Sequence, residues 1–246
     1  MSGIIYKTGA GAISQMMRLN VCSNNLANMG TVGFKADMPV FRLDESTDAT
    51  QSTDPSTPHL SPYAADLEYV TDFTSGPVQT TGNPLDVAIV GNGFFEIQTA
   101  DGIQYTRNGR FSINPQGVLS NCDGWPVMGD GGEIAINGSK VEITELGEIV
   151  VDGDIVGQLK VVDFPQPYNL TKTGGSGFVP SAADMVAQAA ENVRLSQGAV
   201  ETSNVNAIRT MTEMIDLLRV FETYQKVIRA ADDTMAKTIN EVGSPA

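Results

Sequence analysis

The sequence predicts an α+β protein, with long N- and C-terminal helices paired as a coiled coil and a central all-β domain inserted between them. Three observations predict it. Apolar residues at both ends recur at steps of three and four, the spacing of one helix face in a coiled coil. Between residues 67 and 165 the period changes to short β-favouring runs separated by Gly-containing turn pairs. Charge divides the same way: four bases and one acid up to Arg42, five bases and six acids from Ser203 onward, and six bases against 22 acids between them.

Residues 1–30 are read as the N-terminal helix, with Ile5, Gly9, Ala12, Met16, Leu19, Ser23 and Leu26 on one face. Gly9 and Gly11 each cost about 1 kcal/mol against Ala in an isolated helix. The segment is therefore expected to become helical only when packed. Asn24, Asn25 and Asn28, then Gly30 and Gly33, mark its end, because Asn and Gly tolerate left-handed backbone. Residues 31–66 are an extended arm from Lys35 to Leu43 and a flexible Ser/Thr/Asp/Pro tract from Asp44 to Pro62 that has little to bury.

Residues 67–165 are the central β domain. Strands are expected over Leu67–Phe73, Asp86–Val90, Phe94–Gln98, Arg110–Ile113, Val141–Thr144 and Gln158–Phe164, with Phe94, Phe95, Phe111, Trp125 and Phe164 as core anchors. Residues 166–202 form a returning loop and extended segment, including a short helix over Ala182–Ala190 and an extended run over Arg194–Thr202. Residues 203–246 are the C-terminal helix, capped by Ser203 or Asn204 and free of Gly and Pro up to Val242. Its stripe is Leu217, Phe221, Tyr224, Ile228, Ala231, Met235, Ile239 and Val242. Upstream, Ile208, Met211, Ile215 and Leu218 form a second run offset by one position, which reads as a stutter. At about 1.5 Å per residue such a helix reaches roughly 60 Å, too long for one small domain to cover. It requires a partner helix, and the alternative is an amphipathic helix folded onto an ordinary globular core.

Nothing singles out a catalytic or ligand-binding constellation. His59 is the only histidine and lies in the polar tract. Gly91-Asn92-Gly93 is followed by Phe94-Phe95 and a strand, where a dinucleotide loop requires a helix. Asp152-Gly153-Asp154 lacks the downstream ligands of a calcium loop. Cys22 and Cys122 are expected to be free thiols without a metal partner. No cofactor is predicted. The acidic middle argues against nucleic acid or an anionic membrane as partner, and no apolar run is long enough for a bilayer. The first residues lack the layout of a secretory signal, so composition alone suggests the cytoplasm.

Three blocks of sequence change that expectation. Ser23-Asn24-Asn25-Leu26-Ala27-Asn28, followed by Thr31-Val32-Gly33-Phe34-Lys35, resembles the N-terminal signature of bacterial flagellar rod and hook proteins. Gly82 to Ile89, Gly91 to Phe95 and Tyr105 to Phe111 resemble the central β module of that family. Gln197 to Asn206, Met214-Ile215 and Ala230 to Asp233 resemble its C-terminal signature. The resemblance implies a non-enzymatic axial protein that assembles with other copies of itself into a helical tube and transmits motor torque. Paired terminal helices would line the tube and the β domain would lie outside.

The implied axial-core interface comprises Ile5, Ala12, Met16, Leu19, Leu26, Ile208, Met211, Ile215, Leu218, Phe221, Tyr224, Ile228, Met235 and Ile239. Within that interface, Ile208 to Leu218 are expected to face the chain's own N-terminal helix, and Phe221 to Val242 to face other subunits. Chain length resembles the rod subunits rather than the longer hook protein. Arg219-Val220-Phe221-Glu222 resembles the proximal type, where the distal type reads closer to Arg-Ala-Tyr-Glu. The implied partners are adjacent proximal and distal rod subunits, surrounding ring proteins and the flagellar type III export apparatus. Export without a cleaved signal would end in the periplasmic rod. The alternatives are a distal rod subunit and a secreted coiled-coil module whose β domain binds a ligand.

Overall fold

Both ends of the chain form the helices that their periodicity predicts. In the computed structural model, residues 2–42, 66–174, 176–182, 185–190 and 193–242 are described. The tract Asp44 to Pro62 lies outside the described residues, as do the side chains of Ile5, Ile239 and Val242. Two compact units result, a helical one of residues 1–27, 37–72 and 206–246, and a β one of residues 28–36 and 73–205.

In the helical unit, α1 (Ser2–Ala27) runs antiparallel to α2 (Ala207–Val242). Three contacts fix the direction: Tyr224 lies over Gly11, Arg18 is 3.8 Å from Glu213, and the Cys22 thiol donates to the Thr210 carbonyl at 3.1 Å. The face of α2 withdrawn from solvent is Ala207, Thr210, Met214, Leu217, Phe221, Tyr224, Ile228, Ala231 and Met235. Those steps alternate three and four without interruption. The expected stutter is absent, and the run expected to face α1 does not: Phe221 and Tyr224 lie on the seam, while Ile208, Met211, Ile215 and Leu218 are exposed, Ile208 at 81% and Ile215 at 51%. Each follows a seam residue by one position, and one position rotates a side chain by about 100° around a helix, off the seam.

On α1 the expected face is met at Ala12, Leu19 and Leu26 and missed at Met16 and Ser23. Ala12, Cys22 and Asn25 are buried and Gln15, Leu19 and Leu26 half-buried, whereas Met16 is 47% exposed and Ser23 exposed. A Cβ at Gly11 would sit 2.8 Å from the Tyr224 ring, so the missing side chain admits that ring to the α1 backbone. The N-cap of α2 is Asn206, whose Oδ1 accepts from the Arg209 N–H at 3.0 Å, rather than Ser203 or Asn204.

The arm becomes β1 (Asp37–Arg42), paired antiparallel with β2 (Asp66–Thr71) in register Asp37↔Thr71. The expected strand at Leu67–Phe73 thus joins the helical unit instead of the β domain. Asn25 clips this ribbon to the end of α1: its amide donates to the Asp37 carbonyl at 2.8 Å and its Oδ1 accepts from the Asp37 N–H at 2.9 Å.

In the β unit, β3 (Val78–Thr80), β4 (Val87–Val90), β5 (Phe94–Thr99) and β6 (Gly102–Thr106) open the all-β region. A six-stranded sheet has the order Leu170–Gly174, Gly177–Pro180, β6, β5, Val161–Asp163, Gln188–Ala189. Central β5 is covered on both faces. Phe95 and Ile97 enter one core with Val87, Phe111, Leu119 and Ile149, and Phe94 enters a second with Tyr105, Phe164 and Phe178.

Four of the five expected anchors are buried. Trp125 is 38% exposed, because its N–H closes a turn on Asn121 Oδ1 at 2.9 Å and the ring is turned outward. The stretch read as a returning loop carries the Leu170–Gly174 and Gly177–Pro180 hairpin, anchored by buried Leu170 and Phe178. Where a short helix was expected, the described residues hold an edge strand, Gln188–Ala189. Arg194–Gln197 pairs with β4 and Ala199–Glu201 with β3, in keeping with the extended reading of that run.

Candidate functional site

The helical unit offers a surface. One seam is closed between α1 and α2, yet both helices keep further apolar side chains in water: Ile13, Met16 and Met17 on α1, and Ile208, Met211, Ile215, Leu218, Val220 and Val227 on α2. Single exposed apolar residues are ordinary, but four at helical spacing form a stripe. Beside the closed seam, burial raises the pKa of the Cys22 thiol, nearby Glu213 adds to the effect and Arg18 opposes it. These effects favour the neutral thiol over the thiolate. Cys122 is also free, but exposed.

The β unit holds a buried charge cluster that begins in residues 28–36. Thr31 N–H donates to the Asn28 carbonyl at 3.1 Å, turning the chain away from helix. Gly33 has φ 71°, and a Cβ there would lie 2.4 Å from the Asn108 backbone nitrogen, so the left-handed backbone and the close approach both demand glycine. Its N–H donates to the Glu201 carbonyl at 2.9 Å. The next two side chains are driven inward. Phe34 is buried with the Lys172 ammonium 4.3 Å above its ring. Lys35 donates to Glu201 Oε1 and to the Thr74 carbonyl, both at 2.7 Å.

Glu201 is the hub. Its Oε1 also accepts from the Gly76 N–H at 2.9 Å, and its Oε2 accepts from Arg107 at 3.1 Å. The side chains of Lys35, Arg107 and Glu201 are 1%, 3% and 1% exposed. The Arg107 guanidinium stands 5.3 Å over the Phe94 ring. Taking such groups out of water costs several kcal/mol per ion, offset only where geometry is close and remaining atoms are bonded.

Comparison with known proteins gives these geometries a context. Three family models match in chain order: "Flagella basal body rod protein" over residues 7–35, "Flagellar hook protein FlgE/F/G D1 domain" over 88–151, and "Flagellar basal body rod FlgEFG protein C-terminal" over 196–241. The chain is 30% identical over 247 residues to the flagellar basal-body rod protein FlgF of Caulobacter vibrioides, covering 99% of both chains. The chain belongs to the flagellar basal-body rod family. It is also similar to FlgF of Escherichia coli, 34% identical over 254 residues with 96% of this chain and 97% of the relative covered. To FlgG of Buchnera aphidicola it is 32% identical over 253 residues, covering 95% and 96%.

This rod-family protein is a non-enzymatic structural subunit of the flagellar basal body that serves motility. The charge cluster joins all three matched regions, with Lys35 in the first, Arg107 in the second and Glu201 in the third. Of the signature residues, Asn25 clips the ribbon, Gly33, Phe34 and Lys35 insert into the β unit, Leu26 and Asn28 are half-buried, and Ser23, Asn24 and Ala27 are exposed. Arg107 and Glu201 lie within the sequence blocks that resemble the family, where no local pattern marks them. The available signal was isolation: Glu201 is the only charge between Arg194 and Arg209. Among the described residues, no helix is long and apolar enough to cross a membrane.

Proposed function

We propose that this subunit is of the proximal rod type and builds the axial core through the apolar stripe that its helical hairpin leaves in water. The observation that carries the proposal is the exposed row Ile208, Met211, Ile215 and Leu218, present although the hairpin seam is already closed. Fixing backbone costs about 1–2 kcal/mol per residue and apolar burial returns about 25 cal/mol per Å². A hairpin buried on one side alone gains little from folding, so it is only marginally stable in the monomer and is stabilised by packing against other copies. Met16, Ile13 and Met17 extend the contact on α1. Phe221, Tyr224, Ile228 and Met235, together with Ala12, Leu19 and Leu26, hold the hairpin that presents it. Ile5 and Ile239 continue the two periods toward the chain ends.

The proximal assignment is supported by Arg219-Val220-Phe221-Glu222 and by the relatives named FlgF. In this reading the subunit leaves the cytoplasm unprocessed through the flagellar type III apparatus. It assembles in the periplasmic rod between adjacent proximal and distal subunits, inside the surrounding rings, and transmits torque. The test is complementation. Expressed in strains lacking FlgF or FlgG, the chain is expected to restore swimming only in the first. Restoration only in the second overturns the proximal assignment, and failure in both, with normal export, overturns the rod role.

A further inference from the structure

We propose that the Glu201 cluster is a latch under mechanical load that gathers the chain beside three of its four crossings between the helical and β units and ties it to the β body. The proposal rests on the rod reading, which supplies the load. The chain passes from one unit to the other at four places: 27 to 28, 36 to 37, 72 to 73 and 205 to 206. Within the β unit, the segments beside three of those crossings, all but 27 to 28, are bonded to the same node. Residues 33–36 are held through Gly33 N–H on the Glu201 carbonyl, Lys35 on the Glu201 carboxylate, and Ala36 N–H on Asn204 Oδ1 at 2.8 Å. Residues 74–77 are held through the Thr74 carbonyl, which accepts from Lys35 at 2.7 Å and Asn204 at 3.3 Å, through Gly76 N–H on Glu201, and through the Pro77 carbonyl, which accepts from Thr202 N–H at 2.9 Å. Residues 201–204 supply Glu201, Thr202 and Asn204 themselves. Arg107 then fastens the node to the body of the sheet, beside Thr106 at the end of β6.

The chemistry suits a joint under load. Apolar contact is non-directional and slides, whereas charge-assisted hydrogen bonds fix direction as well as distance. Parting Lys35 or Arg107 from Glu201 strands a buried ion, so the latch resists small displacements steeply. Glycine completes it. A Cβ at Gly76 would fall 2.0 Å from the Thr202 carbonyl oxygen, so residues 74–77 and 201–204 lie backbone against backbone, and one at Gly33 would meet the Arg107–Asn108 backbone beside the node. Glu201 is in these terms a positioning residue.

Two measurements test this. Hydrogen exchange on the purified full chain comes first, comparing wild type with Glu201→Gln. The latch predicts that amides of residues 33–36, 74–76 and 202–204 exchange together about 10- to 100-fold faster while those of β4 and β5 keep their protection. Loosening confined to residues next to position 201 overturns the node, whether or not the chain is a rod subunit. The second uses motile cells complemented by the wild-type chain, which establishes the rod role independently. Glu201→Gln is expected to leave rod number and low-load rotation unchanged and to lower torque at least about twofold on a large bead. Equal speeds at both loads overturn the latch, as does equal loss at both. If Glu201→Gln does not fold, Lys35→Met, which keeps the Arg107–Glu201 pair, is read against the same outcomes.

Discussion

Gly33 and Cys22 show how much a single side chain decides here. At Gly33, Ala meets two penalties at once: a left-handed backbone, costing roughly 1–2 kcal/mol, and a Cβ 2.4 Å from the Asn108 backbone nitrogen, which cannot yield as a side chain does. Gly33→Ala is expected to lower the stability of the β unit by more than about 2 kcal/mol, read as a shift in denaturant midpoint. Gly124→Ala, at φ 84° with open space around it, should cost only the conformational part. Equal losses would show that the close approach contributes nothing. The two thiols separate by environment. Because burial raises the Cys22 pKa, its thiolate fraction at neutral pH is below that of an ordinary cysteine and grows only as pH rises further. A thiol reagent at pH 7 should therefore modify exposed Cys122 first in the folded chain and reach Cys22 slowly. Equal rates would place Cys22 outside a packed seam. Gly33 and Lys35 stood out in the sequence as parts of a motif, but their partner Glu201 did not, since 166 residues separate Lys35 from it and no local pattern spans that distance.

At the scale of the helix, the two apolar rows of α2 have different work and a matched pair of substitutions separates them. Ile228 lies on the seam toward α1 and Ile215 on the open row. Ile215→Asp is expected to leave monomer helicity and the β unit intact while abolishing swimming, because a carboxylate enters the apolar contact between copies. Ile228→Asp should lower helicity of the monomer itself by circular dichroism, with loss of function following from that. Normal swimming with Ile215→Asp would remove the open row from the assembly surface. The period of α2 was legible in the sequence to within a residue, and its phase was not. Rows one position apart are both apolar, so hydrophobicity cannot rank them. What ranks them is the shape of α1, where Gly11 makes room for Tyr224 and Cys22 for the Thr210 carbonyl. The hairpin at Leu170–Pro180 was missed for a related reason: its Gly, Ser and Thr residues read as loop, and its strand character comes from pairing with β6.

For the whole molecule, the division into a helical and a β unit predicts that the isolated chain does not unfold as one body. The β unit has two cores filled by Phe94, Phe95, Phe111, Phe164 and Phe178, and a buried ion cluster of Lys35, Arg107 and Glu201. The helical unit has a single seam on which only Ala12, Cys22 and Leu217 are fully buried among its apolar side chains described. Burial, not helix propensity, supplies most helix stability in proteins, and α2 is 36 residues long with much of its length in water. A monomer heated slowly is therefore expected to lose its helical far-UV signal first and its near-UV aromatic signal at least about 10 °C later. Cys22 should become reactive with the first transition and not the second. If neighbours cover the open row in assembled rods, as proposed, the two transitions should merge upward, because anything that binds the folded form raises its apparent stability. Coincident transitions in the monomer, with Cys22 protected to the end, would mean that the hairpin carries its own stability. Assembly would then join preformed helices, and coupled folding would drop out of the account while the open row kept its place in it.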